Sequence, residues 1–244
     1  MIKADLHIHT TASDGQYSPS EVVKAAKLSG IQCIAITDHD TIDGVAEGTA
    51  TGTENGIIVL RGIELGASEH RSLHILGLGL AEHSPDLEKL CRKLRDSREE
   101  RKYRILSYLK SKGVKLNLLD VERAAKGKVI ARPHFATVML ENGYVSTIRE
   151  AFDKYLDIPE FQTIERFKAS AEECITTIHQ AKGKAVLAHP CQLCYSTSEL
   201  EGCIRRLKEF GLDSLECYYS HHTQAQTKEY IRACVHRRFK SVAA

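Results

Sequence analysis

Two stretches, Ile2-Lys3-Ala4-Asp5-Leu6-His7-Ile8-His9 and Cys33-Ile34-Ala35-Ile36-Thr37-Asp38-His39-Asp40, frame the segment that decides the fold. Each is a short apolar run ending in histidine and aspartate. Between them Ser18-Pro19-Ser20-Glu21 marks a helix start, with Ser18 as N-cap, Pro19 at the first helical position and Glu21 completing a capping box; Gly30 closes the helix. Strand, helix, strand is the unit from which parallel sheets and barrels are built.

Working outward, the alternation continues. A helix diluted by Gly48 and Gly52 leads to the strand Ile57-Ile58-Val59-Leu60 and the acid Glu64, and a fourth strand runs through Leu73-His74-Ile75-Leu76. It resumes after residue 167. Ser170-Ala171-Glu172-Glu173 is a second capping box, and its helix stops at Gly183. Ala185 to Ala188 forms a strand ending in His189-Pro190, Ser198 to Glu201 starts a helix ended by Gly211, and Ser214-Leu215-Glu216-Cys217 leads into Tyr218-Tyr219. A last helix starts near Gln224. From 84 to 167 the pattern is helical, with Leu87, Leu90 and Leu94 at helical spacing. The charged stretch from Arg92 to Arg104 reads as a solvated helix face in preference to a basic binding patch. The expectation is an α/β parallel sheet or barrel, built from 1–83 and 168–244, with 84–167 as a helical insertion.

With 244 residues, a net charge of +2, 42% hydrophobic and 27% charged residues, the chain reads as soluble and globular, without the basic excess that nucleic-acid or membrane surfaces select. No apolar run approaches the ~18 residues of a membrane span and no leader is evident, so a cytoplasmic address is expected. Of eight cysteines, Cys33, Cys174, Cys203 and Cys217 lie in apolar segments and read as reduced core thiols; Cys191 and Cys194 form a lone CxxC, a weak metal or redox signal.

The twelve histidines carry the chemistry. His7 and His9, His39, Glu64, His189 and the stretch from Glu216 to His222 fall at the C-terminal ends of predicted strands, where barrel sites assemble; His74 sits within its strand. His7-x-His9 puts two imidazoles on one face of a strand, able to share a metal, with Asp5 and Asp14 as nearby oxygen donors. Mixed nitrogen and carboxylate donors suit zinc, manganese or iron. Glu64 ends an apolar strand, where it would either bridge cations or pair with Arg61 or Arg71. Arg132-Pro133-His134 sets a guanidinium beside a ligand-type histidine, a pairing suited to phosphate next to metal.

Asp5-Leu6-His7-Ile8-His9-Thr10, Ser13-Asp14-Gly15, Ile36-Thr37-Asp38-His39-Asp40-Thr41, Gly62-Ile63-Glu64, His74-Ile75-Leu76-Gly77, Arg132-Pro133-His134 and Ala188-His189-Pro190, in this order, resemble the PHP (polymerase and histidinol phosphatase) family, most closely its nucleotide- and oligonucleotide-hydrolysing branch. The resemblance implies a distorted (β/α)7 barrel holding two or three divalent ions. It implies His7 and His9 on a first metal, Glu64 bridging to a second completed by His74 and His134, and Asp14 and His39 on a third. Arg132, His189 and His222 match positions that contact phosphate and serve catalysis, with a metal-bridging hydroxide as the nucleophile. His222 is a candidate for the otherwise unidentified general acid. The implied substrate is a phosphorylated small molecule, nucleotide or short oligonucleotide, with no membrane and no stable duplex as partner. Asp40, His70, His83, His179 and His236 receive no ligand role and are expected to be surface or structural.

The likeness stops short of one feature. Branch members end in a strand carrying a Gly-Ser-Asp-x-His type motif, whereas Tyr230 to Ala244 contains no Asp-x-His. A barrel lacking its last strand and two ligands is therefore expected, and with it an alternative in which the protein is an inactive metal-binding remnant. A histidinol-phosphate-type phosphatase is the other alternative. An amidohydrolase-type deaminase also begins with His-x-His, but its mid-barrel lysine has no clear counterpart here.

Overall fold

The computed structural model describes residues 2–125, 130–164, 166–237 and 240–243, with side chains through Val235. The elements in chain order are β1 (Ala4–Ile8), α1 (Pro19–Leu28), β2 (Cys33–Ile36), α2 (Val45–Asn55), β3 (Ile58–Gly66), β4 (His74–Leu78), α3 (Pro85–Ser111), α4 (Leu118–Ala125), α5 (Arg132–Glu141), α6 (Ile148–Ala151), α7 (Pro159–Gln162), α8 (Ala171–Gln180), β5 (Lys184–Leu187), α9 (Thr197–Glu209), β6 (Ser214–Tyr218), α10 (Gln224–Arg237) and β7 (Lys240–Ala243). The seven strands form one sheet in sequence order, β1 to β7. β7 comes within 8 Å of β1, as in a sheet curling toward closure.

The local signals act as their chemistry requires. The Ser18 side chain accepts from the Glu21 N–H and Glu21 reaches back to the Ser18 N–H, while Val22, Val23 and Ala26 form the buried face of α1. The glycine that weakens α2 has a packing reason, since a Cβ on Gly48 would stand 2.1 Å from Ile36 Cδ1. α9 begins two residues before the expected point, because Ser196 and Glu199 form the capping box.

Two expectations are corrected. The sheet is not wholly parallel. β4 runs antiparallel to both β3 and β5, while the other neighbouring pairs are parallel. This also accounts for His74. As the first residue of a reversed strand, it stands at the end of the sheet where its neighbours have their C-termini. Nor is the last strand lacking. Residues 240–243 add to β6 in parallel, with Ser214 opposite Lys240 and Leu215 opposite Ser241. Only Val242 in that tetrapeptide is a strong strand former, so the sequence shows no alternation there, but the open edge of β6 supplies a ready ladder for even a short extended segment.

The chain divides into two compact units, Met1–Arg92 with Lys168–Ala244, and Lys93–Phe167. The first holds the sheet. Ala35, Leu76, Leu78, Val186 and Ala188 pack with Leu6 and Leu60, and Ile34 packs with Val22, Val23 and Ala26 against α1. By the two-residue period of β4, His74 shares the face of Leu76 and Leu78. The second unit has its own core, centred on Leu109, Val121, Phe135, Met139 and Phe161. Among the described residues, no helix is long and apolar enough to cross a membrane.

Candidate metal centre

Glu64 ends the apolar part of β3 fully buried, and imidazoles from four other strand ends surround it. His74 Nδ1 and His189 Nε2 lie 2.9 and 2.8 Å from Glu64 Oε1. His9 Nε2, His39 Nδ1 and His7 Nε2 lie 2.9, 3.0 and 3.4 Å from Oε2. Neither Arg61 nor Arg71 is the partner; Arg61 donates to the Glu82 carbonyl.

Backbone detail places each ring. The β2–β3 ladder continues past Ile36, with Glu64 N–H donating to Asp38 O and Asp40 N–H to Glu64 O, so His39 is registered beside Glu64. Asp40 then turns the chain at φ +58°, its carboxylate accepting from Gly66 N–H. Asp38, buried, accepts from Thr10 N–H, Thr10 Oγ1 and Ser13 Oγ at 2.6–2.7 Å, and so fixes the loop carrying His9 and Asp14. His189 adopts φ +26° before Pro190, a strained conformation of the kind that persists at functional sites when its surroundings hold it. Its N–H donates to Glu216 Oε2.

The electrostatics favour added positive charge. Burial opposes protonation of His7, but the Glu216 and Glu64 carboxylates outweigh it and raise its pKa to about 10. Burial is likewise outweighed at His9 by Asp14 and Glu64, raising it to about 9. The His9 hydrogen bond holds Asp14 down at about 2. Burial would raise Glu64, yet His189, His39, His7 and His74 together hold it well below the usual carboxylate range. His39, by contrast, is lowered by burial to about 4 and stays neutral, as a metal ligand must.

The donor set fits divalent cations. His7 Nε2 and His9 Nε2 stand 3.2 Å apart, and two donors bound at 2.0–2.1 Å with tetrahedral angles would be separated by about 3.4 Å. Glu64 Oε2, buried, is approached by three imidazoles without a hydrogen bond of good geometry, and His189 Nδ1 is buried without a hydrogen-bond partner. Ligand atoms fall into two groups sharing Glu64, namely His7, Glu64 and His189, and His9, His39 and Glu64. Asp14 joins the second side through His9 Nδ1 at 2.7 Å and His39 at 3.8 Å.

The other expected residues have partners of their own. His222 donates from Nδ1 to the Cys217 carbonyl and packs edge-on against Tyr219 and Tyr230; its Nε2 is buried without a hydrogen-bond partner, and Tyr219 takes the place on the cleft wall. Arg132 and His134 belong to the helical unit. There Arg132 pairs with Asp157 at 2.9 Å and the Leu156 carbonyl, and His134 Nδ1 accepts the Ala131 N–H at the start of α5. His70 accepts the Ser72 N–H, and His179 donates to Asp213. The His236 side chain lies outside the described residues. Cys217 Sγ and Cys234 Sγ lie 3.3 Å apart in the interior, and Cys194 is exposed.

Residue reasoning placed Glu216 and Tyr219 within a candidate strand-end stretch without a role for either, and did not single out Gln192. Glu216 is fully buried on β6 and accepts from His7 Nδ1 at 3.0 Å. A lone acid inside an apolar strand, the same signal that singled out Glu64, is what sets it apart within that stretch. Gln192 and Tyr219 line the cleft with the five histidines and Glu64.

A family model for the PHP domain matches residues 5–181. The chain belongs to the PHP domain family. A 5′-3′ exoribonuclease from Haemophilus influenzae is 34% identical over 88% of this chain and 78% of its own length. A 3′,5′-nucleoside bisphosphate phosphatase from Chromobacterium violaceum is 31% identical over 91% of this chain and 79% of its own. A solved structure of an amidohydrolase from C. violaceum, with bound sulfate and no metal, superposes with a TM-score of 0.82, at 28% identity over 99% of this chain and 86% of that one. This PHP domain protein is a metal-dependent phosphoesterase, a hydrolase of the EC 3.1 class.

Proposed function

We propose that this phosphoesterase hydrolyses the phosphate esters of nucleotides or short oligoribonucleotides, and that its cations are held by His7, His9, His39, Glu64 and His189, with Asp14 and His74 at their margin. The observation that carries the proposal is the buried carboxylate of Glu64, ringed by five imidazoles within 3.4 Å. Bound divalent cations would lower the pKa of water and polarise a phosphoryl oxygen. The chain's own groups do the rest. Glu216 fixes His7 in the tautomer that turns Nε2 to the cleft, Asp14 does the same for His9, and the strained turn at His189 aims its ring at Glu64. The substrate class is supported by the two curated relatives, one acting on RNA and one on nucleoside bisphosphates by name.

The test is phosphate release from 5′-AMP, 3′,5′-bisphosphoadenosine and a 5′-phosphorylated trinucleotide with added Mn²⁺, alongside His9→Ala. Release that needs metal and disappears in the variant is expected. The competing outcome is a metal-binding remnant without turnover. A folded, metal-loaded protein that releases phosphate from none of these substrates, nor from histidinol phosphate, would establish it.

A further inference from the structure

Six of the eight side chains lining the cleft are the histidines and Glu64; the other two, Gln192 and Tyr219, are neutral and bonded to each other, with Gln192 Nε2 donating to Tyr219 Oη at 3.1 Å. Both are built into the ends of strands that carry the centre. Gln192 lies on the short turn Pro190–Leu193 directly after His189, pinned by the buried Leu193, with its own side chain exposed. Tyr219 follows β6, its ring 5.7 Å from His189 and 6.3 Å from His7 between centroids, inclined 29° to the latter.

This pair cannot neutralise a phosphate, but it matches a hydroxyl. With one Gln192 N–H committed to Tyr219, the carboxamide still offers Oε1 and a second N–H, and the Tyr219 O–H still offers its proton. A sugar hydroxyl requires such mixed donors and acceptors. The cleft measures about 330 Å³, at the small end for a ligand site, so the moiety next to the scissile phosphate is the one within reach.

Resting on the nucleotide reading above, we propose that Gln192 and Tyr219 form a specificity subsite that reads the ribose hydroxyls of the nucleoside leaving group. A site built to bond a hydroxyl rejects the analogue lacking it more sharply than an apolar wall could.

The experiment measures binding without turnover, by NMR titration of adenosine, 2′,3′-dideoxyadenosine and inorganic phosphate into the full-length protein with Mn²⁺ replaced by diamagnetic Zn²⁺. Adenosine is expected to bind about tenfold more tightly than the dideoxy analogue, the effect of one or two neutral hydrogen bonds. Gln192→Ala and Tyr219→Phe should each collapse that ratio toward one while leaving phosphate affinity unchanged, and the double variant should add little, because the two act as a pair. Equal binding of both nucleosides by the unsubstituted protein, or a ratio that survives both substitutions, overturns the proposal. Failure of the nucleotide reading shows separately, as no phosphate release from 5′-AMP by a protein whose nucleoside preference is intact.

Discussion

Glu216 Oε1 stands 3.0 Å from His7 Nδ1 while the other oxygen of the same carboxylate accepts the backbone N–H of His189, so one buried acid on β6 holds both histidines of the group formed by His7, Glu64 and His189. Outer partners of this kind typically contribute 10–100-fold to metal affinity or activity. Glu216→Gln preserves the shape and removes the charge. Mn²⁺ titration of the purified variant should show affinity or kcat/KM falling by roughly that factor; unchanged values would reduce Glu216 to a packing residue.

Glu64→Gln should be more severe, because both groups of donor atoms share that carboxylate. Metal analysis of the variant is expected to show loss of all tightly bound cation, with five histidines left around a neutral amide. Retention of one full equivalent would mean that the two groups bind independently of Glu64.

Removing metal should cost stability as well as activity. A ligand at one hundred times its Kd stabilises the native state by about 2.7 kcal/mol, and each kcal/mol is worth roughly 2–4 °C in Tm for a chain of this size. Chelation should therefore lower the transition of the metal-loaded protein by roughly 5–11 °C, and an unchanged melting curve would contradict tight binding at folded donors.

Gly15 tests how the loop after β1 is built. A Cβ there would stand 2.4 Å from the His9 carbonyl oxygen and 2.7 Å from Thr10 Cα, both backbone atoms that cannot rotate away. Gly15→Ala must displace Asp14 or His9, at a cost of about 1–3 kcal/mol. It should weaken metal binding more than Ser18→Ala, which removes a helix cap farther along the same loop. Equal effects would show that the loop adapts.

Asp213 gives the clearest pH dependence outside the centre. Burial would raise its carboxyl, but His179 Nε2 at 2.7 Å, Lys184 Nζ and the Ala185 N–H outweigh it and hold it below its ordinary value. A depressed carboxyl contributes stability that is present above the unfolded value of about 3.9 and is lost as pH falls through the folded value. Asp213→Asn should thus cost roughly 1–3 kcal/mol at pH 7 by denaturant unfolding. The gap should close as pH falls below about 4. A gap that persists at low pH would mean that charge is not what Asp213 contributes.

Much of this was legible in the residues. Ser18, Pro19, Glu21 and Gly30 announce α1 because capping is local chemistry, and the histidines at strand ends announce a cation site because several imidazoles at one end of a sheet have few other uses. Three features were not legible, each for a non-local reason. The direction of β4 depends on its pairing with β3 and β5, which no hydrophobic pattern encodes. β7 forms because β6 offers an open ladder, not because Lys240-Ser241-Val242-Ala243 has strong strand character. Gln192 and Tyr219 lie on connections whose polar residues look alike until the fold places them in the cleft.

The sequence-ordered sheet also bears on how the protein is made. Every strand pairs with its immediate predecessor, so β1 to β4 can assemble as they are synthesised, each ladder closing over a modest length of chain. The β4–β5 ladder is the one that must span the whole stretch 79–183, with the loop-closure entropy that implies. Residues 93–167 contain a core of their own, and if they condense first they shorten the effective loop to little more than its two ends. The helical insertion would then set the pace at which the second half of the sheet joins the first.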